Sequence, residues 1–211
     1  MVRRSKSSAR WLKEHFTDPF VKEAHAQGWR SRAVFKLKEI DRKDKLLRPG
    51  MIVLDLGAAP GAWSQYAKQQ VGKHGRVVAS DILTMEPLAA VEFVQGDFRQ
   101  EPVFEQLRTL LGPSGADVVL SDMAPNMAGM DVIDQPRSMY LAELAVDMAA
   151  QVLKPGGDTL IKTFQGAGFP QLVAAMRGIF EKVKFAKPAA SRDRSPELYV
   201  VGKTRRPKPV S

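Results

Sequence analysis

Lys162 lies inside the apolar run Thr159-Leu-Ile-Lys-Thr-Phe164. Burying a lysine charge without compensation is costly, so such a residue rarely lacks a task. Burial or a second cation can lower an ammonium pKa until the free amine exists to accept a proton. A second chemical signal is IVLDLGAAPGAW, Ile52 to Trp63: an apolar run ending in Asp55, then bare backbone. Glycine there lets a ligand approach the main chain, and a following helix would offer unpaired N–H groups. Taken alone, the same stretch is also a tight strand-to-helix turn. Asp81 closes the next apolar run, 20 residues after Gly61, where an acid takes the ribose hydroxyls of an adenosine. Asp97, in Gln95-Gly-Asp-Phe98, is placed to accept from an adenine amine.

These residues need a scaffold that sets them at one end of a sheet. Ser7 or Ser8 caps a first helix to about Phe16, and Asp18-Pro19 starts a second that ends near Gly28. A third, from Ser31, buries Ala33, Phe35 or Leu37, and Ile40 and exposes Arg32, Lys36 and Lys43. Pro49-Gly50 is the seam before the core. Beyond it, strands at 51–56, 75–82, 91–97, 116–123 and 158–164 alternate with helices at 61–71, 101–111, 136–153 and 169–180, with Lys154-Pro-Gly-Gly stopping the long helix. Short, near-continuous Val/Ile/Leu runs between helices imply a parallel sheet covered on both faces. Two closing strands, 181–188 and 197–203, leave little room for a helix between them and so form a hairpin. The expectation is an α/β, Rossmann-like chain: a mostly parallel sheet of about seven strands, one antiparallel edge strand, and helices on both faces. A basic helical arm (1–48) belongs to the same domain as the core (49–204), followed by a basic tail (205–211).

Electrostatics narrows the ligand. Acids at three successive strand ends would repel the pyrophosphate of a dinucleotide but suit a cationic adenosine derivative such as S-adenosyl-L-methionine, whose sulfonium carries no phosphate. No Gly-Lys-Ser/Thr follows the turn, which excludes a P-loop. The chain has no cysteine, hence neither disulfides nor thiolate metal sites, and its three histidines lack metal spacing. No apolar run approaches the roughly 20 residues that span a bilayer, and a cytoplasmic location without membrane attachment is expected. Residues 1–50 hold 14 Lys/Arg against 6 Asp/Glu, residues 51–181 hold 9 against 15, and residues 182–211 hold 9 against 2. A polyanion gripped by two basic ends around an acidic centre would account for that segregation; solvated tails are the plainer reading. Arg32, Arg192 and Arg194 are candidate phosphate contacts.

The ordered set SRAVFKLKEI, DLGAAPGAW, SDMAPN, LIKTFQG and SRDRSPELYVV resembles the FtsJ family of RNA 2′-O-methyltransferases from about Arg10 to Val201. The resemblance implies a class I S-adenosyl-L-methionine-dependent methyltransferase with a Lys-Asp-Lys-Glu tetrad at Lys36, Asp122, Lys162 and Glu197. It places cofactor contacts at Gly61, Trp63, Asp81, Asp97 and Asp122. It also implies a ribose target, a uridine of the A-loop in 23S rRNA of the large ribosomal subunit; nothing in the sequence suggests more than a monomer. In that reading Lys162 is the proton acceptor, Lys36 tunes it or grips the ribose, Asp122 orients the amine and Glu197 helps hold the site. One departure is Ala62, where the family usually has glycine.

Read without the family, Lys36 would pass as solvated, Asp122 as a loop cap, Glu197 as a strand-edge charge and Trp63 as helix packing. SDMAPN supplies no aromatic ring to stack on a flipped base, which favours ribose over base. The alternatives are a 2′-O-methyltransferase of tRNA or another RNA, a non-catalytic RNA-binding ribosome-assembly factor, and a nicotinamide-dependent oxidoreductase.

Overall fold

Near-continuous apolar runs separated by amphipathic helices give a seven-stranded sheet with helices on both faces. The structure is a computed structural model and describes residues 18–125, 131–191 and 195–207. The helix expected from Ser7 or Ser8 to Phe16, the basic tail beyond Pro207, Arg192 and Arg194 lie outside the described residues.

Two helices precede the sheet. In α1 (Pro19–Ala26) the Asp18 side chain accepts from Phe20 N–H and proline starts the first turn, where its missing donor costs nothing. α2 (Val34–Asp44) begins three residues later than expected, because Ser31 Oγ accepts from Ala33 N–H at 3.3 Å in a local turn. Its buried stripe is Val34, Leu37 and Ile40, and Phe35 turns sideways to meet the Phe20 ring at 5.7 Å. The core follows as β1 (Ile52–Leu56), α3 (Ala62–Val71), β2 (Arg76–Asp81), β3 (Glu92–Gln95), α4 (Glu101–Leu111), β4 (Ala116–Ser121), α5 (Asp131–Val152), β5 (Leu153–Phe164), α6 (Phe169–Ile179), β6 (Phe180–Ala186) and β7 (Glu197–Arg205).

The spatial order is β3-β2-β1-β4-β5-β7-β6. The first five strands pair in parallel, and β7 runs antiparallel to both β5 and β6. The closing hairpin therefore forms as expected, and its reversed strand, β7, lies one place in from the edge. Strand order reverses between β1 and β4, so a crevice opens beyond their carboxyl ends. The largest boundary differences from the sequence reading are at α5 and β5. α5 begins at Asp131, with Pro136 inside it. β5 begins at Leu153 and runs through Lys154-Pro-Gly-Gly, where the pairing with β4 jumps from Ala116↔Leu153 to Val118↔Asp158.

Alternation along the strands sorts the core into two layers. Val53, Val118, Leu120, Leu160, Tyr199 and Val201 face α2 and α3. Leu54, Leu56, Val119, Ile161 and Val200 face α4, α5 and α6. α2 is therefore part of the core packing, and Leu37 and Ile40 are essentially inaccessible.

Candidate active site

The same two-residue period carries four polar side chains onto the α2–α3 face. Lys162 is two residues past Leu160, and Leu160 pairs with Leu120, so Asp122 comes level with Lys162 just beyond the end of β4. Lys162 pairs across the sheet with Tyr199, and Phe164 with Glu197. Lys36 enters from above, on the flank of the α2 stripe. Lys162 Nζ lies 3.0 Å from Asp122 Oδ1 and donates to the Asp122 carbonyl at 2.6 Å. Lys36 Nζ lies 2.7 Å from Glu197 Oε1 and donates to Oε2 at 2.8 Å. All four residues of the expected tetrad thus converge, as two ion pairs. Lys162 is only 7 % exposed at its side chain.

Two further residues complete the cluster. Tyr199 Oη donates to Asp122 Oδ1 at 2.7 Å, and Ser191 Oγ donates to Glu197 Oε1 at 2.9 Å. The Tyr199 ring also lies 5.6 Å from Lys36 Nζ, a cation–π distance. Sequence reasoning passed over both. For Tyr199 the signal was present: it stands two residues after Glu197 on a strand, hence on the same face. Ser191 carried no such signal, since it reaches Glu197 from an irregular segment.

The field of the cluster is set by this pairing. Burial pushes the Asp122 carboxyl up, but the charges of Lys162 and Lys36 and the Tyr199 hydroxyl outweigh it and hold the group below its usual range. Burial and the neighbouring Asp122 and Glu197 push the Tyr199 phenol well above its ordinary value. Asp55, 1 % exposed at the end of β1, is raised to about 7, first by burial and then by the charges of Asp122 and Asp81, against a hydrogen bond from Ser64. Ser64 Oγ donates to Asp55 Oδ2 at 2.6 Å.

The turn after β1 builds the rest of the crevice. Gly57 has φ +71°, and a Cβ there would fall on the Met123 side chain and 3.2 Å from its Cα. Gly61 has φ +102° and starts α3, whose first-turn N–H groups have no intrahelical acceptor. Asp81 orders the turn from below: Oδ2 accepts from Ala59 N–H and Oδ1 from Leu83 N–H, both at 2.9 Å.

Three expected contacts sit differently from their simplest reading. The Trp63 indole is 3 % exposed and donates to Ala33 O at 2.8 Å. It packs 5.9 Å from Tyr199, so what it offers the crevice is backbone N–H. Both Asp97 oxygens already accept from Arg99 Nε at 2.9 Å, and that pairing lowers the Asp97 carboxyl. Arg32, read as a phosphate contact, bonds Asp18 and the Ala190 carbonyl, lies 5.5 Å from the Phe20 ring and also lines the cleft beside Lys36. A cleft of about 280 Å³ opens beside Lys36 and Glu197, lined also by Ser31 and Ser195. Among the described residues, no helix is long and apolar enough to cross a membrane.

The pattern of the FtsJ-like methyltransferase family matches residues 29–205. The chain is 60 % identical over 200 residues to ribosomal RNA large subunit methyltransferase E of Cellvibrio japonicus, covering 95 % of each protein. It is 58 % identical over 206 residues to the protein of that name from Stenotrophomonas maltophilia strain K279a, covering 98 % of each. Among solved structures, a Plasmodium falciparum protein described as a ribosomal RNA methyltransferase superposes with a TM-score of 0.75 at 29 % identity, over 84 % of this chain and 98 % of that one. The chain belongs to the FtsJ-like methyltransferase family.

Proposed function

We propose that this methyltransferase transfers a methyl group from S-adenosyl-L-methionine to the ribose 2′-hydroxyl of a uridine in 23S rRNA, at the A-loop of the large ribosomal subunit, in the cytoplasm. The observation that carries the reading is the convergence of Lys162, Asp122, Lys36 and Glu197 at the carboxyl ends of β4 and β5 and the amino end of the antiparallel β7. The names of the relatives, ribosomal RNA large subunit methyltransferases, support the choice of RNA.

The crevice suits a cationic donor on its own chemistry. Asp55, Asp81 and Asp122 share one negative field, the glycine turn leaves the main chain bare, and the α3 N-terminus offers N–H groups to a carboxylate. Asp81 would take the ribose hydroxyls, Gly61 and Trp63 would contribute backbone, and Asp97 would meet the adenine amine by sharing or releasing Arg99. When bound, the donor supplies an electrophilic methyl group on sulfur.

The chain's own work is proton handling and alignment. A ribose hydroxyl is a poor nucleophile until its proton leaves, and holding it in line lowers the barrier further. In its neutral form the Lys162 amine takes that proton as the oxygen–carbon bond forms. Asp122, fixed by Tyr199, keeps the amine aimed by accepting two of its N–H groups through its carboxylate and its carbonyl. Lys36, held by Glu197 at the cleft of about 280 Å³, grips the ribose or the adjoining phosphate.

Large-subunit rRNA from cells lacking this protein tests the proposal. One ribose-methyl mark should vanish, return with the wild-type chain, and stay absent with Lys162→Ala. An unchanged ribose-methylation map would overturn it.

A further inference from the structure

Arg30 is a cation that the mechanism leaves unused. Its guanidinium is spent on three main-chain carbonyls: Nη1 donates to Pro60 O at 3.0 Å and to Glu86 O at 2.6 Å, and Nη2 to Pro87 O at 2.7 Å. Pro60 belongs to the turn between β1 and α3. Glu86 and Pro87 belong to the loop that leaves β2 after Asp81. These are the two loops between which a methyl donor would lie.

The loops already touch. Asp81 Oδ2 accepts from Ala59 N–H on the inner side. A Cβ on Gly61 would stand 2.8 Å from Met85 Sδ, 2.9 Å from Leu88 Cδ1 and 3.2 Å from Arg30 Nη1. Arg30 closes this seam from the outside. Its own main chain is fixed in turn: Arg30 N–H donates to Gln65 Oε1 at 3.2 Å, and Gln65 Nε2 donates to Gly28 O at 2.9 Å. The neighbouring Trp29 ring packs on Tyr66 at 6.2 Å. Six residues further on, the same segment presents Lys36 to Glu197.

We propose that Arg30 is a positioning residue that holds the two donor-binding loops at their working separation. Through Arg30 the seating of residues 28–36, which carries Lys36 into the site, is coupled to the shape of the donor crevice. The inference rests on the methyl-donor reading above. A planar guanidinium can bond carbonyls in divergent directions, whereas an ammonium is a single compact point. The bridge therefore depends on the fork as well as on the charge. An arginine serving as an RNA phosphate contact would show its loss in RNA affinity and its salt dependence rather than in donor affinity.

The test is calorimetric titration of the full chain with S-adenosyl-L-methionine, beside RNA binding and steady-state kinetics, for wild type, Arg30→Ala, Arg30→Lys and Gln65→Ala. Arg30→Ala should weaken donor binding about ten-fold, as expected for lost charge-assisted hydrogen bonds. The donor KM should rise more than kcat falls, and RNA affinity should stay within about two-fold, as for a residue that makes no phosphate contact. Arg30→Lys should recover less than half of the loss. Gln65→Ala, which frees only the supporting backbone, should weaken the donor in the same direction and by less, and it serves if Arg30→Ala does not fold. Unchanged donor affinity in a folded variant would overturn the proposal. So would full rescue by lysine, or a loss confined to RNA binding. If the wild-type chain fails to bind the donor, the methyl-donor reading falls first and takes this inference with it.

Discussion

Burial favours the neutral form of the Asp122 carboxyl, and two lysines with a tyrosine hydroxyl outweigh it in favour of the anion. Its anionic form is what aims Lys162. Removing the amine by Lys162→Ala should cut methyl transfer by at least about 100-fold, the lower range for a general base. RNA affinity, measured by filter binding, should be unaffected. Lys162→Arg should be equally inactive, because a guanidinium cannot release its proton. Asp55 makes a second residue-level prediction. Its carboxyl is raised to about 7 in the folded chain from an ordinary value of 3.8. Protonation is therefore favoured by folding, and the stability contribution falls as pH rises from about 4 to about 7. A cationic ligand favours the ionised form. Donor affinity should then rise between pH 6 and 8 with release of a proton, seen by calorimetry in buffers of different ionisation heat. In Asp55→Asn both pH dependences should flatten, and an unaltered proton release would contradict the assignment.

At the scale of elements, the site is a consequence of register. Leu120, Leu160 and Tyr199 bury on one face, and the polar residues two positions along follow them to the rim. The core strands and the helix that follows β1 were legible from near-continuous apolar runs between turn residues, but the register that sets Leu120, Leu160 and Tyr199 on one face was not. Contacts between distant segments were not legible. Nothing local reveals that Trp63 reaches Ala33 or that Arg32 turns to Asp18, whereas the Asp97–Arg99 pair, two residues apart, was passed over. Lys36 looked solvated because helical spacing alone does not show that α2 leans over the ends of β5 and β7. Leu37→Ala, in the stripe that seats α2, should destabilise the fold by about 2–4 kcal/mol, read by urea denaturation. Gly57→Ala adds a Cβ at φ +71° against Met123. It should lower both thermal stability and donor affinity, since an L side chain is strained there, whereas Gly72→Ala, with nothing within 4 Å, should pay only the backbone strain and leave donor binding intact.

For the whole molecule, the arrangement of charge was plain from the sequence, whereas its targets were not. The acidic middle of the sequence supplies Asp55, Asp81 and Asp122, and Lys/Arg outnumber Asp/Glu on either side of it along the chain. RNA binding should therefore weaken steeply with salt while donor binding barely changes. Each basic residue removed from a phosphate contact should reduce the slope of log K against log salt by about 0.7–0.9. In the proposed reaction this chain methylates a ribose oxygen with Lys162 as proton acceptor. The most direct measurement is methyl transfer from labelled donor into large subunits that lack the mark, followed by alkaline hydrolysis of the 23S rRNA. A methylated 2′-oxygen cannot attack its neighbouring phosphate, so the account predicts one alkali-resistant linkage, after a uridine, formed by wild type and absent with Lys162→Ala. Label on a base, or the same linkage formed by the variant, would contradict it.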